Sequence, residues 1–148
     1  MDYLNFHVGG VMNYVVGFGF TRDLDTLVLI EKQKPHWQRG NMNGVGGKIE
    51  PQEHSLSAMV REFREETGVQ TNSAQWFPFG SLTGPSYSVF LFVMYDDIVR
   101  QCHTTTSEQI VFVHPRNLPL NVVPNLKWLV PAALCRYTDI FTVEAKYV

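Results

Sequence analysis

Apolar and polar positions change their period along the chain, and the changes predict where strands give way to helices. Residues 14–20 and 26–32 are rich in β-branched and aromatic side chains and are joined by a short polar turn, which predicts an antiparallel pair of strands. Residues 75–82 and 110–113 predict further strands, and residues 89–95 predict a buried central strand because they are apolar on both faces. Together these runs predict one mixed sheet.

A first helical pattern precedes Gly68. Its apolar side chains recur at spacings of three and four, and such a stripe packs on a core. The stripe consists of Leu56, Met59, Val60 and Phe63. Ser55 is the predicted N-cap, with Glu53 or His54 as alternatives. Gly68 stands where a left-handed residue commonly ends a helix.

A second helical pattern opens at Pro124, with Asn125 as its predicted N-cap. Its candidate core residues are Leu126, Leu129, Val130 and Leu134. Pro131 is expected to kink or shorten this helix, because it has no N–H to donate. Residues 33–46, ahead of the first helix, predict a long loop, and loops of that length in compact domains usually carry function.

Length and composition favour one domain over residues 1–148, since a chain of 148 residues can bury a core without a disulfide or structural metal. The two cysteines are too few for a disulfide framework and lack metal-ligand spacing. Neither a membrane span nor a signal peptide is predicted, so a cytoplasmic protein is expected. A net charge of −2 without a basic stripe argues against a nucleic-acid polymer as partner.

The candidate chemistry is concentrated in the first helix. Glu62, Glu65 and Glu66 fall on one face, because positions i, i+3 and i+4 are neighbours. Three like charges repel one another there, and a divalent cation would remove the repulsion. Carboxylate oxygens are hard ligands that suit Mg²⁺, or Mn²⁺, better than zinc. The pattern therefore predicts a divalent metal site on an acidic face held at the surface, opposite the apolar stripe.

The surrounding segment resembles the Nudix box, G-x5-E-x7-R-E-U-x-E-E-x-G-U, in which U is a bulky aliphatic residue. The matching residues are Gly47, Glu53, Arg61, Glu62, Glu65, Glu66, Gly68 and Val69. Phe63 departs from the pattern at the first U position, so repacking beneath the helix without loss of chemistry is expected. The order of predicted elements is also similar to the family. The resemblance implies an α/β (α+β) fold, a Nudix-like α/β/α sandwich with a mixed sheet, a catalytic helix after a glycine loop and a C-terminal helix.

The resemblance also implies a Mg²⁺-dependent pyrophosphohydrolase, and it separates the metal-binding residues of the box from the structural ones. The residues that gather the divalent ions in the family correspond here to Gly47, Glu62, Glu65 and Glu66. Glu53 and Arg61 correspond to an ion pair that holds loop and helix together, and with Gly47 and Gly68 they form the structural part of the box.

Hydrolysis of a pyrophosphate linkage also needs a base that takes a proton from the attacking water. Glu62 is the candidate within the box, because it lies one turn before the pair Glu65 and Glu66 on the same face. Some members of the family instead use an acidic residue on a later loop for the base or for another metal contact, and Glu108 stands at a comparable place before a short strand. The alternative interpretation of Glu108 is an ordinary solvated loop glutamate.

Residues outside the box bear on the substrate. In the family's oxidised-purine nucleotide pyrophosphatases, an asparagine before the glycine loop contacts the base, and Asn43 matches its place. An Asn or Asp just after a proline that precedes the last helix reads the purine edge, and Asn125 is similarly placed. Trp37 is a candidate to stack on a base, and Lys48 to neutralise phosphate charge. The alternatives are a turn former or a helix cap for the asparagines and packing over the core for Trp37. The expected reaction converts a ribo- or deoxyribonucleoside triphosphate, with an oxidised purine as one option, to the monophosphate and pyrophosphate.

The sequence leaves two alternative functions open. Pro85 stands near the offset of a proline typical of ADP-ribose-cleaving relatives, although Gly84-Pro85-Ser86 also suits an ordinary turn. ADP-ribose, a nucleotide sugar or a dinucleotide polyphosphate is therefore the alternative substrate. A non-catalytic nucleotide-sensing module is disfavoured, because such modules typically lose box glutamates that are all present here. The oligomeric state is open, with a homodimer as one option.

Overall fold

A mixed sheet forms the middle layer of the protein in the computed structural model, which describes residues 11–148. Its eight strands are β1 (Met12–Phe20), β2 (Leu27–Glu31), β3 (Met42–Asn43), β4 (Val45–Lys48), β5 (Phe77–Thr83), β6 (Tyr87–Tyr95), β7 (Ile110–Val113) and β8 (Val143–Lys146). The α-helices are α1 (Ser55–Thr67) and α2 (Leu126–Cys135). Short 3-10 helices cover His36–Gln38, Ser73–Gln75 and Asp97–Gln101.

The strands are ordered β3-β2-β1-β6-β5-β8, with β4 paired to β1 and β7 to β2. The predicted antiparallel pairing of β1 with β2 is confirmed by the register Gly19 opposite Val28. β1 and β6 pair in parallel along their whole lengths. β8, which the sequence patterns did not predict, adds a parallel edge strand to β5.

Apolar residues of the central strands alternate between two cores, one beneath each α-helix. In β6, Leu91 and Val93 belong to the core that includes α2. Phe92 and Met94 belong to the core that includes α1. Because successive strand residues point to opposite faces, a continuous apolar run is buried on both sides. The predicted central strand and the predicted α/β/α sandwich are both confirmed.

α1 begins one residue earlier than its predicted cap implies. The N-cap is His54, whose Nδ1 accepts the Leu56 N–H at 3.3 Å. The alternative of His54 is therefore confirmed, and the prediction of Ser55 as N-cap is wrong. Gly68 ends the helix in the left-handed region with φ 75°, as predicted. Beneath the helix, Phe63 is fully buried and meets the Trp76 ring edge-on, with ring centroids 5.1 Å apart. This aromatic contact is the packing that accommodates Phe63 where the family pattern has an aliphatic residue.

α2 packs through Leu126, Leu129 and Val130, all buried as predicted. Asn125 precedes the helix, but its side chain forms no capping hydrogen bond in the described part of the chain and its backbone is already right-handed. Asn125 is thus the N-cap residue, as predicted, without the side-chain hydrogen bond that usually stabilises this position. Pro131 lies within the helix, which continues to Cys135.

The predicted loop of residues 33–46 is only partly a loop. Its second half pairs as β3 and β4, and it also contains one 3-10 helix. Gly46 runs so close to β1 that an added Cβ would lie 1.9 Å from the Val15 carbonyl oxygen. None of the described helices is long and apolar enough to cross a membrane. The N-terminal residues in which no signal peptide is predicted lie outside the described residues, and the single domain over residues 1–148 stays a prediction.

Candidate active site

Glu62 lies where α1 meets the glycine-rich strand β4. Only 8% of its surface is exposed, and its carboxylate rests directly on Gly47. A Cβ added to Gly47 would lie 2.5 Å from Glu62 Cδ, so a larger residue here would force the carboxylate to shift. The acidic face was predicted to lie at the surface, and for Glu62 that prediction is wrong.

Arg61 joins the strand, the loop and the helix through its guanidinium. Nε and Nη2 donate to the two carboxylate oxygens of Glu53 at 2.7 and 2.8 Å, and Nη2 also donates to the Lys48 carbonyl at 3.0 Å. Nη1 donates to Glu62 Oε1 at 2.8 Å and to Glu65 Oε2 at 3.2 Å. The hydrogen bonds between Arg61 and Glu53 lower the pKa of the Glu53 carboxyl and raise the pKa of Arg61.

Burial raises the pKa of both Glu62 and Glu66, because desolvation disfavours a charged carboxylate. The Arg61 guanidinium opposes the rise in the pKa of Glu62. At Glu66, the Thr106 hydroxyl donates to Oε2 at 3.1 Å and opposes the rise in pKa, whereas the negative charge of Glu108 adds to it. A nearby cation would stabilise both carboxylates in their charged form.

The helical glutamates provide the hard oxygen donors that fit Mg²⁺ or Mn²⁺. Among residues 11–148, however, no three Asp, Glu, His or Cys side chains are arranged to hold a metal ion. Glu62 and Glu65 both turn towards Arg61, and Glu66 is bound by Thr106. The donor chemistry fits a divalent cation, and the side chains would have to turn from Arg61 to share one.

The loop that precedes β7 brings Glu108 close to Glu66 on α1. Its Oε1 accepts from Lys32 Nζ at 3.2 Å, and its Oε2 accepts the backbone N–H groups of Gln33 and Lys34, the latter at 3.2 Å. Burial alone would raise the pKa of this carboxyl, but these donors outweigh burial and lower it. The side chain is only 12% exposed, so the alternative of a solvated loop glutamate is wrong.

A cleft of about 670 Å³ opens beside the glycine loop. Its lining includes Lys32, Trp37, Asn43, Gly47, Asn125 and Tyr147. Three of the four predicted substrate-binding residues are therefore brought together at one cleft. The fourth, Lys48, is exposed and lies outside the described residues that line this cleft. Trp37 is 68% exposed, so the alternative that it packs over the core is wrong.

The two asparagines in the cleft differ in how far the protein itself satisfies them. Asn43 Oδ1 accepts the Gly44 N–H at 2.8 Å, and its Nδ2 donates to Gln38 at 3.3 Å. Asn125 Nδ2 donates to the Tyr147 hydroxyl at 3.5 Å, but its Oδ1 is buried without a partner among the described residues. An unpaired buried acceptor costs about 1–3 kcal/mol. A ligand N–H that reached Asn125 Oδ1 would remove that cost.

Lys32 and Tyr147 reach the cleft although the sequence patterns did not single them out. Tyr147 follows β8, and its N–H donates to the Thr83 carbonyl at 2.7 Å, which brings the end of the chain beside Asn125. No local pattern relates residue 147 to residue 125, because their contact depends on the pairing of β8 with β5. For Lys32 a signal was present, since it ends the predicted strand of residues 26–32 and leads into the loop before the box.

The NUDIX domain model matches residues 13–133, which is more than half of the chain. The chain belongs to the Nudix family. The prediction of a Nudix hydrolase, and of an enzyme acting as a pyrophosphohydrolase, is confirmed at this level. Divalent metal ions are the cofactors that members of this family generally use, and small-molecule nucleotides are the substrates on which the family acts.

Three solved Nudix structures share the fold. One, from a study of MutT from Aliivibrio salmonicida and Vibrio cholerae, is 23% identical with a TM-score of 0.63, and the match covers 81% of this chain and 96% of that one. The mutator MutT protein from Bacillus halodurans is 16% identical with a TM-score of 0.70, covering 92% and 88%. A NUDIX-family hydrolase from Clostridium perfringens is 17% identical with a TM-score of 0.63, covering 84% and 97%.

At these identities the structural similarity establishes the fold alone. A comparison with curated proteins finds none that is significantly similar in sequence.

Proposed function

We propose that this Nudix hydrolase converts a nucleoside triphosphate, with a purine base, to the monophosphate and pyrophosphate. The observation that carries the proposal is the buried, unpaired Oδ1 of Asn125 in a cleft that also reaches Gly47, on which the Glu62 carboxylate rests. A base at Asn125 and a phosphate chain towards Gly47 would occupy the two ends of this cleft.

The phosphate end combines cationic and desolvated acidic groups. Lys32 and Lys34 line the cleft and would offset the charge of a triphosphate. Glu62, Glu65 and Glu66 would hold Mg²⁺ or Mn²⁺, and a bound cation would supply charge neutralisation at the phosphoryl oxygens and a more acidic water. We assign the general base to Glu62, because it lies one turn before Glu65 and Glu66 on α1 and its carboxylate rests on Gly47, which lines the cleft.

The base end is where selectivity would arise. Asn125 Oδ1 offers an acceptor, so it would favour a base that presents an N–H. Oxidation of a purine at C8 converts N7 from an acceptor to a donor, which makes an oxidised purine nucleotide a specific candidate. Asn43, whose amide is already bonded within the protein, would shape the cleft more than it reads the base. Trp37 is exposed at the cleft and would stack on the base.

Pro85 gives little support to an ADP-ribose substrate. It lies in the turn between β5 and β6, where the Gly84 N–H donates to the Tyr87 carbonyl at 3.0 Å. The ordinary-turn alternative accounts for this residue. We also propose that the protein acts in the cytoplasm on free nucleotides, in keeping with its net charge of −2.

The test is a Mg²⁺-dependent hydrolysis panel of canonical and oxidised NTPs and dNTPs, ADP-ribose, a nucleotide sugar and a dinucleotide polyphosphate, with products identified by mass. Pyrophosphate and a monophosphate from a purine triphosphate are expected. Two monophosphates from ADP-ribose or a sugar nucleotide would replace this proposal with the alternative substrate. Nucleotide binding without turnover across the whole panel would indicate a sensing module.

The variant Glu65→Gln should abolish turnover while the fold persists, and Glu144→Gln is a matched control because Glu144 is exposed on β8. Undiminished Mg²⁺-dependent turnover in Glu65→Gln would refute the metal-site assignment.

A further inference from the structure

The Glu108 backbone is anchored from both sides of the active site. On the α1 side, the His103 N–H donates to the Thr67 carbonyl at 3.0 Å and the Thr105 hydroxyl donates to the Glu65 carbonyl at 2.5 Å. On the β2 side, the Glu31 N–H donates to the Gln109 carbonyl at 2.8 Å, and β7 begins directly after it. Glu108 is therefore held in place by the sheet and by the helix that carries the box glutamates.

The Glu108 carboxylate is directed at one short stretch of chain. Both of its oxygens accept hydrogen bonds from residues 32–34, one from the Lys32 ammonium and the other from two successive backbone N–H groups. A carboxylate that accepts a pair of backbone N–H groups fixes the peptide planes as well as the side chain. Both carboxylate oxygens of Glu108 are thus already bonded to donors of the protein itself.

The stretch that Glu108 binds is the base of the loop that carries Trp37. The Lys32 N–H donates to the Asn41 carbonyl at 2.8 Å and the Gly40 N–H donates to the Lys32 carbonyl at 2.9 Å, so residues 32–41 form a closed loop. We call this the Trp37 loop. Lys32, Lys34 and Trp37, all from this loop, line the cleft. Glu108 is thus bonded to the point from which the loop extends over the cleft.

We propose that Glu108 is a positioning residue that places the Trp37 loop over the cleft, and that it does not act as the general base. In this role it ties nucleotide binding to the loop before β7, whose Thr106 hydroxyl also binds Glu66. Loss of the carboxylate would free the Lys32 ammonium and two backbone N–H groups at the base of the loop. The bound nucleotide would lose contacts that are the same in the ground state and the transition state, so KM would rise while kcat would stay close to its value.

The kinetic test compares Glu108→Gln and Glu108→Ala with the matched control Glu144→Gln, using the triphosphate that the unchanged protein hydrolyses best. We expect KM to rise about tenfold in Glu108→Ala, and less in Glu108→Gln, which keeps one acceptor oxygen, with kcat within about threefold. A fall in kcat of about 10²–10⁴-fold at unchanged KM is the result of losing a general base, and it would overturn the proposal.

The second test does not depend on turnover. In a Trp128→Phe background the remaining tryptophans are Trp37, 68% exposed, and Trp76, 3% exposed, so acrylamide quenching reports chiefly on Trp37. We expect lower Trp37 anisotropy and faster quenching in Glu108→Gln and Glu108→Ala, and no change in Glu144→Gln. Unchanged anisotropy and quenching in both Glu108 variants would overturn the proposal.

The kinetic test rests on the proposed function, whereas the fluorescence test does not. If the unchanged protein hydrolyses no triphosphate, the proposed function fails and the fluorescence of Trp37 still decides the role of Glu108. Thermal unfolding monitored by circular dichroism confirms that each variant is folded. Should Glu108→Ala fail to fold, the Glu108→Gln variant carries both tests.

Discussion

The box region around α1 and the base end of the cleft differ in how completely the protein satisfies their polar groups. Around Arg61, four carboxylate oxygens and one backbone carbonyl accept hydrogen bonds from a single guanidinium. At the base end, Asn125 keeps a buried oxygen without a partner among the described residues. The difference indicates that the box carboxylates are satisfied within the protein and would have to turn from Arg61 to share a cation, whereas Asn125 Oδ1 has no hydrogen bond to give up when a ligand binds.

The largest expected effect comes from the box, through Glu62→Gln. If Glu62 is the general base, kcat should fall by about 10²–10⁴-fold, because an amide cannot take the proton. The amide would still accept from Arg61, so the melting temperature should change little. Steady-state kinetics beside a thermal melt test this, with Glu144→Gln as control. A fall of less than threefold in kcat would move the base elsewhere.

A somewhat smaller effect is expected at Gly47. The Gly47→Ala variant places a Cβ where the Glu62 carboxylate lies, since the two would be 2.5 Å apart. Displacement of that carboxylate by about 1 Å should lower kcat by up to about 10²-fold. Ser57→Ala, on the exposed side of α1, is the control. Wild-type kcat in Gly47→Ala would show that the position of Glu62 is not critical.

The two asparagines allow a direct comparison at the base end. Asn125→Ala should lower kcat/KM for the preferred nucleotide by about 10–100-fold, in line with 1–3 kcal/mol of base discrimination. It should not lower the free energy of unfolding, because removal of the unpaired buried oxygen offsets the loss of the hydrogen bond to Tyr147. Asn43→Ala should instead lower the free energy of unfolding by about 1 kcal/mol, because two hydrogen bonds within the protein are lost. Kinetics and denaturant titrations of both variants test this. The opposite pattern would exchange their roles.

The smallest expected effect is the pH dependence of stability at Glu53. Its pKa is lowered in the folded protein, mainly by the Arg61 hydrogen bonds, so the stabilisation is fully present above the unfolded pKa. That stabilisation, about 1 kcal/mol, is lost as pH falls through the lower, folded pKa. Glu53→Gln should therefore be less stable than the unchanged protein at neutral pH, and the two should converge in acid. Denaturant titrations between neutral and acidic pH measure the difference in free energy of unfolding between the two proteins. That difference would not change with pH if the pKa of Glu53 were the same in the folded and unfolded states.

The positions that the sequence predicted well are those governed by short-range rules. Gly68 ends α1 because a residue without a Cβ accepts a left-handed backbone cheaply, and the pattern that shows this spans only a few residues. The central strand β6 was recognisable because burial on both faces requires apolar residues at successive positions. Asn125 was correctly predicted as the N-cap residue, but the absence of its capping hydrogen bond was not predictable, because the position before a helix does not determine where the side chain points.

The residues that the sequence could not place are those whose partners are distant along the chain. Glu62 looked like part of a solvated acidic face, yet β4 covers it. Glu108 bonds residues 32–34 only because β7 pairs with β2, which brings segments more than 70 residues apart into contact. Tyr147 meets Asn125 only because β8 adds to the edge of the sheet at β5.

By itself, therefore, the sequence determined the family, the central elements of the sheet and the carboxylates available for chemistry. These follow from side-chain type at spacings within one helix or strand, where the geometry of the backbone is regular. Only the tertiary structure decided which carboxylate is buried, which asparagine is left unpaired and what Glu108 binds. Burial and hydrogen-bond partners depend on which strands become neighbours, and that is settled by the packing of the whole sheet between its two helices.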